Sequence, residues 1–177
     1  MKPIFSLFVF VFLALGSQAQ NFGNSKIVVQ GRVTQLMPAD SAEKPLDKVI
    51  VQIWRGDQLV KECKSAHRGR YRVDVPYATN YQVKYVLDGY VSKLIDFDAM
   101  NMKKEEGAFQ MFLVVDIALF KNDENFDFTF LESTPVAKAQ VTKRGHNIVW
   151  DTDYSNDVKL LIDNEIKRGR KQLATVK

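Results

Sequence analysis

Residues Gly69–Val83 read G-R-Y-R-V-D-V-P-Y-A-T-N-Y-Q-V, arginines interleaved with three tyrosines. Surfaces that bind nucleic acid or sugar use this mixture. Parity decides for a different reading. Along an extended chain, alternate side chains point to opposite faces, so Tyr71, Val73 and Val75 share one face while Arg70, Arg72 and Asp74 share the other. The aspartate neutralises part of the arginine field. Pro76 lacks the N–H that a ladder needs and ends the strand, Ala78-Thr79-Asn80 supplies a turn, and Tyr81, Val83, Tyr85 and Leu87 repeat the pattern with Gln82 and Lys84 outward. The stretch is therefore two strands of a sheet. Arg70, Arg72 and Tyr77, left on the outer face or the turn, are candidate contact residues.

The same period of two extends from Lys26 to about Leu131, with runs separated by Gly, Pro, Asn and Asp, which predicts an all-β domain of antiparallel strands. Ile27 to Val33 is a first strand. Val49 to Trp54 is a second, with Val49, Val51 and Ile53 on one face and Ile50, Gln52 and Trp54 on the other. Arg55-Gly56-Asp57-Gln58 then turns the chain into a strand from Leu59 to Ser65. This turn spells R-G-D, an adhesive tripeptide in some loops, but glycine followed by aspartate is also what a tight hairpin requires. Asp88-Gly89 turns into a strand from Tyr90 to Phe97.

Phe109 to Phe120 is the most apolar segment after the N-terminus. It predicts a central strand covered on much of both faces, interrupted by Gln110 and Asp116. Asn122 to Asn125 leads into Phe126, Phe128 and Phe130 alternating with polar residues, the pattern of a hairpin. After Pro135, two short strands flank Arg144-Gly145-His146. A helix follows, with Asp153 or Ser155 as its cap, an apolar stripe of Val158, Leu161, Ile162 and Ile166, and Lys167, Arg168, Arg170 and Lys171 toward its negative pole.

The N-terminus carries Lys2, an apolar run from Ile4 to Leu15 and the small-x-small pattern Ser17-Gln18-Ala19. That run is shorter than the roughly 20 residues that span a bilayer, so it reads as a signal peptide, residues 1–19, cleaved after Ala19. The expected organisation is a signal peptide at 1–19, a sandwich core at 20–98, and further strands and a helix at 99–177 packed on the same domain, with no transmembrane segment after cleavage. The mature chain is expected outside the cytoplasm.

The chain has 177 residues, with 25 Lys and Arg against 21 Asp and Glu. That balance is too even, and too mixed along the chain, to predict nucleic-acid or membrane binding. Cys63 is the only cysteine, which excludes an intramolecular disulfide and reads as a small apolar group.

The search for chemistry yields few constellations. Two histidines, His67 and His146, and one cysteine do not make a zinc set, and the four-residue spacing of Cys63 and His67 falls across a strand end. No nucleophile elbow, phosphate loop or dinucleotide fingerprint is present. Dispersed carboxylates leave no local motif: Asp96 and Asp98 share a strand face, and Asp116 interrupts an apolar run, so these are the candidates for a glycan hydrolase. Asp151, Asp153, Ser155 and Asp157 alternate as in half of a calcium loop, but Asn156 and Ile162 stand where that loop needs glycine and glutamate. These four are calcium candidates, and a helix cap explains them equally. No catalytic residue and no cofactor site is assigned.

Taken in order, Gly31-Arg32-Val33, Pro45-Leu46-Asp47-Lys48-Val49-Ile50-Val51, Gly69-Arg70-Tyr71, Tyr81-Gln82-Val83 and Gly89-Tyr90 resemble the carboxypeptidase regulatory-like domain. The resemblance covers Lys26 to Asp98 and implies a transthyretin-like, Ig-like β-sandwich. Exported proteins of the Bacteroidota carry such domains, which accompany enzymes, receptors and secretion components without supplying catalytic residues; the resemblance implies the periplasm or cell surface of a Gram-negative bacterium as the location. Ala66-His67-Arg68 stands where an Asp-rich turn often precedes Gly-x-Tyr. The resulting expectation is a mainly β fold with additional C-terminal strands and a C-terminal helix, working without catalysis through contact with an envelope protein. The alternatives are a carbohydrate-binding module using Trp54, Tyr77 or Tyr90 as stacking platforms, and a carboxylate hydrolase.

Overall fold

The computed structural model describes residues 26–38, 43–76, 79–102, 110–144 and 147–175. The proposed signal peptide, Tyr77 and His146 lie outside them. The chain forms β1 (Lys26–Leu36), β2 (Glu43–Pro45), β3 (Ile50–Arg55), β4 (Gln58–Lys64), β5 (Arg70–Val75), β6 (Asn80–Val86), β7 (Lys93–Asp98), β8 (Gln110–Val114), β9 (Ile117–Phe120), β10 (Ala137–Val141), β11 (Ile148–Trp150) and a helix α1 (Thr152–Thr175).

Two sheets face each other. One runs β11-β10-β7-β6-β3-β4; the other is built around β1. The long first strand is shared by four shorter ones: β5 and β2 pair along one edge in antiparallel sense, and β8 and β9 pair along the other in parallel sense. The expected sandwich is thus present, with three parallel pairings, the third being β7 with β10.

The parity of the opening stretch is what fills the interior. Tyr71, Val73 and Val75 from β5, and Tyr81, Val83 and Tyr85 from β6, are all buried together with Ile27, Val29, Val51 and Ile53. Tyr71 and Tyr85 meet edge to face at 5.6 Å between ring centroids, with their hydroxyls 2.7 Å apart. The Tyr71 hydroxyl also donates to the Val115 carbonyl at 2.9 Å, so a backbone oxygen turned into the core is satisfied. Burial pushes both phenols above their usual range.

Two glycines make this packing feasible. At Gly31 a Cβ would lie 1.9 Å from the Val115 carbonyl oxygen, so only glycine lets the β8–β9 junction close on β1. Gly69 has φ +72°, and a Cβ there would lie 2.1 Å from the Val33 carbonyl. Its N–H donates to Asp47 Oδ1 at 2.8 Å, which brings the Pro-Leu-Asp-Lys-Val and Gly-x-Tyr motifs together physically.

The structure departs from the sequence expectations at several points, the first being that sheets expected to be antiparallel throughout contain parallel pairings. Residues 110–120 are not one central strand: β8 and β9 pair with β1 alone, and the outward face is bare along β8, where Phe112 and Val114 are 47% and 56% exposed. Along β9 the expected cover on both faces is present, with Leu119 buried in one core and Phe120 in the other. The expected hairpin at Phe126–Phe130 is a single bridge between Asp123 and Phe126 followed by a 3-10 turn over Thr129–Glu132. Its phenylalanines build a second core instead, in which Phe120 and Phe128 stack at 4.1 Å. The helix cap is Asp151, whose Oδ1 accepts the Tyr154 N–H at 3.0 Å, and neither Asp153 nor Ser155.

Helix α1 docks on that second core through Val158, Tyr154, Ile162 and Ile166. Leu161, placed in the same stripe from its spacing, is 53% exposed. The helix also runs through Gly169, where a Cβ would lie 2.4 Å from the Phe126 ring, so the basic cluster lies inside the helix. Arg168 pairs with Glu165, and Arg170 Nε donates to the Pro38 carbonyl.

Candidate functional site

The outer face of the β1-centred sheet gathers chemistry that the interior does not use. The pairing register sets outward side chains in rows across three strands. Asp74, Val28 and Phe112 form the first row, and Arg72, Gln30 and Val114 the second. Arg70 and Arg32 form the third, beside the β8–β9 junction that carries Asp116. Each residue stands here because β1, β5 and β8 all turn their alternate side chains into the core.

Val28 faces outward yet is 0% exposed. The Arg72 guanidinium leans across β1 to within 5.9 Å of the Phe112 ring centroid, and its Nη1 donates to Gln30 Oε1 at 3.2 Å. Lys26 binds Asp74 at 2.5 Å, and this ammonium holds the Asp74 carboxyl below the usual carboxylate range. Arg32 and Arg70 stand directly opposite each other, and neither has a carboxylate within ion-pair distance among the described residues. Like charges opposed across a sheet are destabilising, so this pair is not placed for stability. Asp116 Oδ1 accepts the Arg32 N–H at 2.8 Å, and a shallow hollow of about 330 Å³ lies over Gly31 between Arg32, Arg70, Val114 and Asp116.

The candidate contact residues named from sequence divide as follows. Arg70 and Arg72 fall on this face and are exposed, and Arg32, Phe112 and Val114 join them there. The antiparallel pairing of β1 with β5 sets Arg32 opposite Arg70, and the parallel pairing of β1 with β8 brings Phe112 and Val114 alongside; neither pairing is written in the local sequence of any one strand. Trp54 lies on the other sheet, half-buried, with Nε1 donating to Gln52 Oε1 at 3.2 Å. Tyr90 is half-buried and its hydroxyl donates to Gln35. The structure therefore does not bring Trp54 and Tyr90 onto the arginine face.

The carboxylate candidates are likewise separated. Asp116 is exposed on the β1-centred sheet, where an apolar sequence context had suggested burial. Asp96 and Asp98 sit on the outer face of the other sheet and line a small hollow with Lys138 and Asp151. Asp96 accepts from Gln82, and Asp98 accepts the Met100 N–H. Of the calcium candidates, Asp151 caps α1 while Asp153, Ser155 and Asp157 lie along its first turns, where helical spacing sends alternate residues to different faces. No group of three metal-ligating side chains converges among the described residues. Cys63 is half-buried against the core, and burial pushes its thiol up.

One buried cation went unnoticed in the sequence. Lys93, at the start of β7, is 5% exposed, with Nζ 3.9 Å from the Phe120 ring centroid, and burial pushes its amine down to about 7. The signal was available: Lys93 has the parity of Ile95 and Phe97, both buried.

No model of a known family matches the chain, and no curated protein sequence matches it. The likeness to the carboxypeptidase regulatory-like domain therefore stands at the level of a β-sandwich. Among solved structures, similarity is found to a minor pilin of Streptococcus agalactiae (11% identity, TM-score 0.32, 55% of this chain and 44% of that one). It is found also to catechol 1,2-dioxygenase of Acinetobacter sp. ADP1 (16%, TM-score 0.37, 62% and 56%). The third is the Bacillus anthracis TIE protein (17%, TM-score 0.34, 54% and 18%). The chain spans less than two thirds of each of these structures. At these identities and scores no activity passes from them to this chain. No helix among the described residues is long and apolar enough to cross a membrane.

Proposed function

We propose that this chain is a non-enzymatic interaction or structural module of the periplasm or cell envelope, exported by its N-terminal leader and acting through the outer face of the β1-centred sheet. One observation carries this reading: a sheet face that sets the exposed apolar side chains Phe112 and Val114 beside the opposed guanidinium groups of Arg32 and Arg70. Exposed apolar area rimmed by polar groups is how contact surfaces are composed. Arginine and aromatic residues are also those that dominate contact energetics.

The test is photo-crosslinking in the organism that encodes the chain, with a benzophenone amino acid at Val114 and, as control, at Leu59, which is 41% exposed on β4 of the other sheet. Reproducible protein adducts from position 114 and not from position 59 are expected. Equal or absent adducts at the two positions defeat the reading. A glycan array run on the same protein addresses the carbohydrate alternative, for which a signal abolished by Trp54→Ala would be decisive.

A further inference from the structure

We infer that the hollow over Gly31 receives a short extended segment of a partner protein, an acidic side chain seated between Arg32 and Arg70 and an apolar side chain against Phe112 and Val114. This deepens the contact function proposed above and rests on it. The argument is one of complementary chemistry. The two arginines stand directly opposite each other across the β1–β5 pair, and a single carboxylate placed between them accepts from both, a charge-assisted arrangement suited to arginine's planar fork. One wall of the same hollow is an acceptor. Asp116 uses Oδ1 for the Arg32 N–H, and its other oxygen has no donor among the described residues. The rim toward β8 is apolar and exposed at Val114, 56%, and the apolar strip continues along β8 to Phe112, 47%.

A ligand for this site thus offers an anion, a hydrogen-bond donor and an apolar group within one short span. Sulfate, phosphate or a polyanionic sugar offers the first without the last. A peptide offers all three, as an Asp or Glu side chain, a backbone N–H and a neighbouring Val, Leu or Phe. Extended geometry follows from the flat β surface and from the alternation that places successive ligand side chains at about 7 Å spacing on one side.

The experiment selects random dodecapeptides displayed on phage against the purified chain, then measures the enriched peptides by isothermal titration. Three substitution variants serve: Arg32→Glu with Arg70→Glu, Phe112→Ser, and Lys64→Glu on the other sheet. All alter exposed side chains, and thermal melts establish that each is folded. Enriched peptides are expected to carry Asp or Glu within two residues of a large apolar side chain. They are expected to lose about tenfold or more in affinity on the first two variants and none on the third. Enrichment of peptides without carboxylates, equal binding to all variants, or no enrichment that depends on this face overturns the inference. Heparin is included as a probe: if its binding, and not that of any peptide, is lost on the arginine variant, the face serves a polyanionic sugar and the peptide assignment is wrong. Face-specific crosslinks at position 114 combined with failure of the peptide selection would leave the contact function standing and remove only this refinement.

Discussion

Lys93 offers the sharpest quantitative test of the packing between the two cores. Its amine is 5% exposed, faces the Phe120 ring at 3.9 Å and is held down to about 7 from an ordinary 10.5, burial being the cause. Between those two values the unfolded chain binds more protons than the folded one, so stability rises with pH through that window, and the penalty is full below it. Linkage gives a cost of about 4 kcal/mol at pH 7 and about 2 kcal/mol at pH 9. Methionine matches the length of the lysine stem and removes the charge; the cation–π attraction to Phe120 belongs to the protonated amine alone, so at pH 9 the folded wild type has already lost it. Lys93→Met is therefore expected to stabilise the fold by about 4 kcal/mol at pH 7 and by about 2 kcal/mol at pH 9, the gain shrinking as the pH rises. Urea unfolding of both proteins, followed by tryptophan fluorescence across that range, reads this directly. The raised Cys63 thiol adds its own slope near pH 9, but it is common to both proteins and cancels in their difference. A wild-type minus variant difference that does not change with pH would refute the reasoning, as would clear destabilisation by methionine at pH 7.

Gly31→Ala drives a methyl to 1.9 Å from the Val115 carbonyl and is expected to cost at least about 3 kcal/mol or to prevent folding, read as a lowered urea midpoint. Tyr71→Phe leaves the inward Val115 carbonyl and the Tyr85 hydroxyl without their partner, for a loss of about 1 to 3 kcal/mol in the same assay. Asp151→Ala removes the cap of α1 and is expected to cost about 1 kcal/mol, with a matching loss of helical circular dichroism on heating. If capping is the whole role of Asp151, calcium and chelator leave the wild-type melting temperature unchanged.

The strands from Val49 to Tyr85 were legible because their two faces differ in chemistry: buried valines and tyrosines alternate with lysine, glutamine and arginine. Where that contrast fails, so does the reading. Phe112 and Val114 are apolar on the outward side, so β8 has the pattern of a strand covered on both faces, and the exposed face to which they belong leaves no local signal. The alternation of Phe126, Phe128 and Phe130 has the local pattern of a hairpin, yet its rings face a helix that arrives some 30 residues later, a tertiary demand that local pattern does not encode. Parity alone places Arg70 and Arg72 on the outer face. Arg32 joins them only through pairing between β1 and β5, which is a property of the sheet and not of either segment.

The sharing of β1 among four strands also governs the order in which the molecule can be assembled. Its antiparallel neighbour β5 follows within about fifty residues, but the contact that seals its other edge, Arg32 to Asp116, spans 84 residues of chain. A growing or threading chain that has produced everything up to Asp98 still carries a first strand with one bare edge, bordered by the buried positions Ile27, Val29 and Val33. Unpaired edges of that kind recruit other chains, and pairings so distant in sequence form slowly. Residues beyond Asp98 thus act as a closing clasp, and a truncation at the boundary of the sandwich motif is expected to yield a chain that associates with copies of itself.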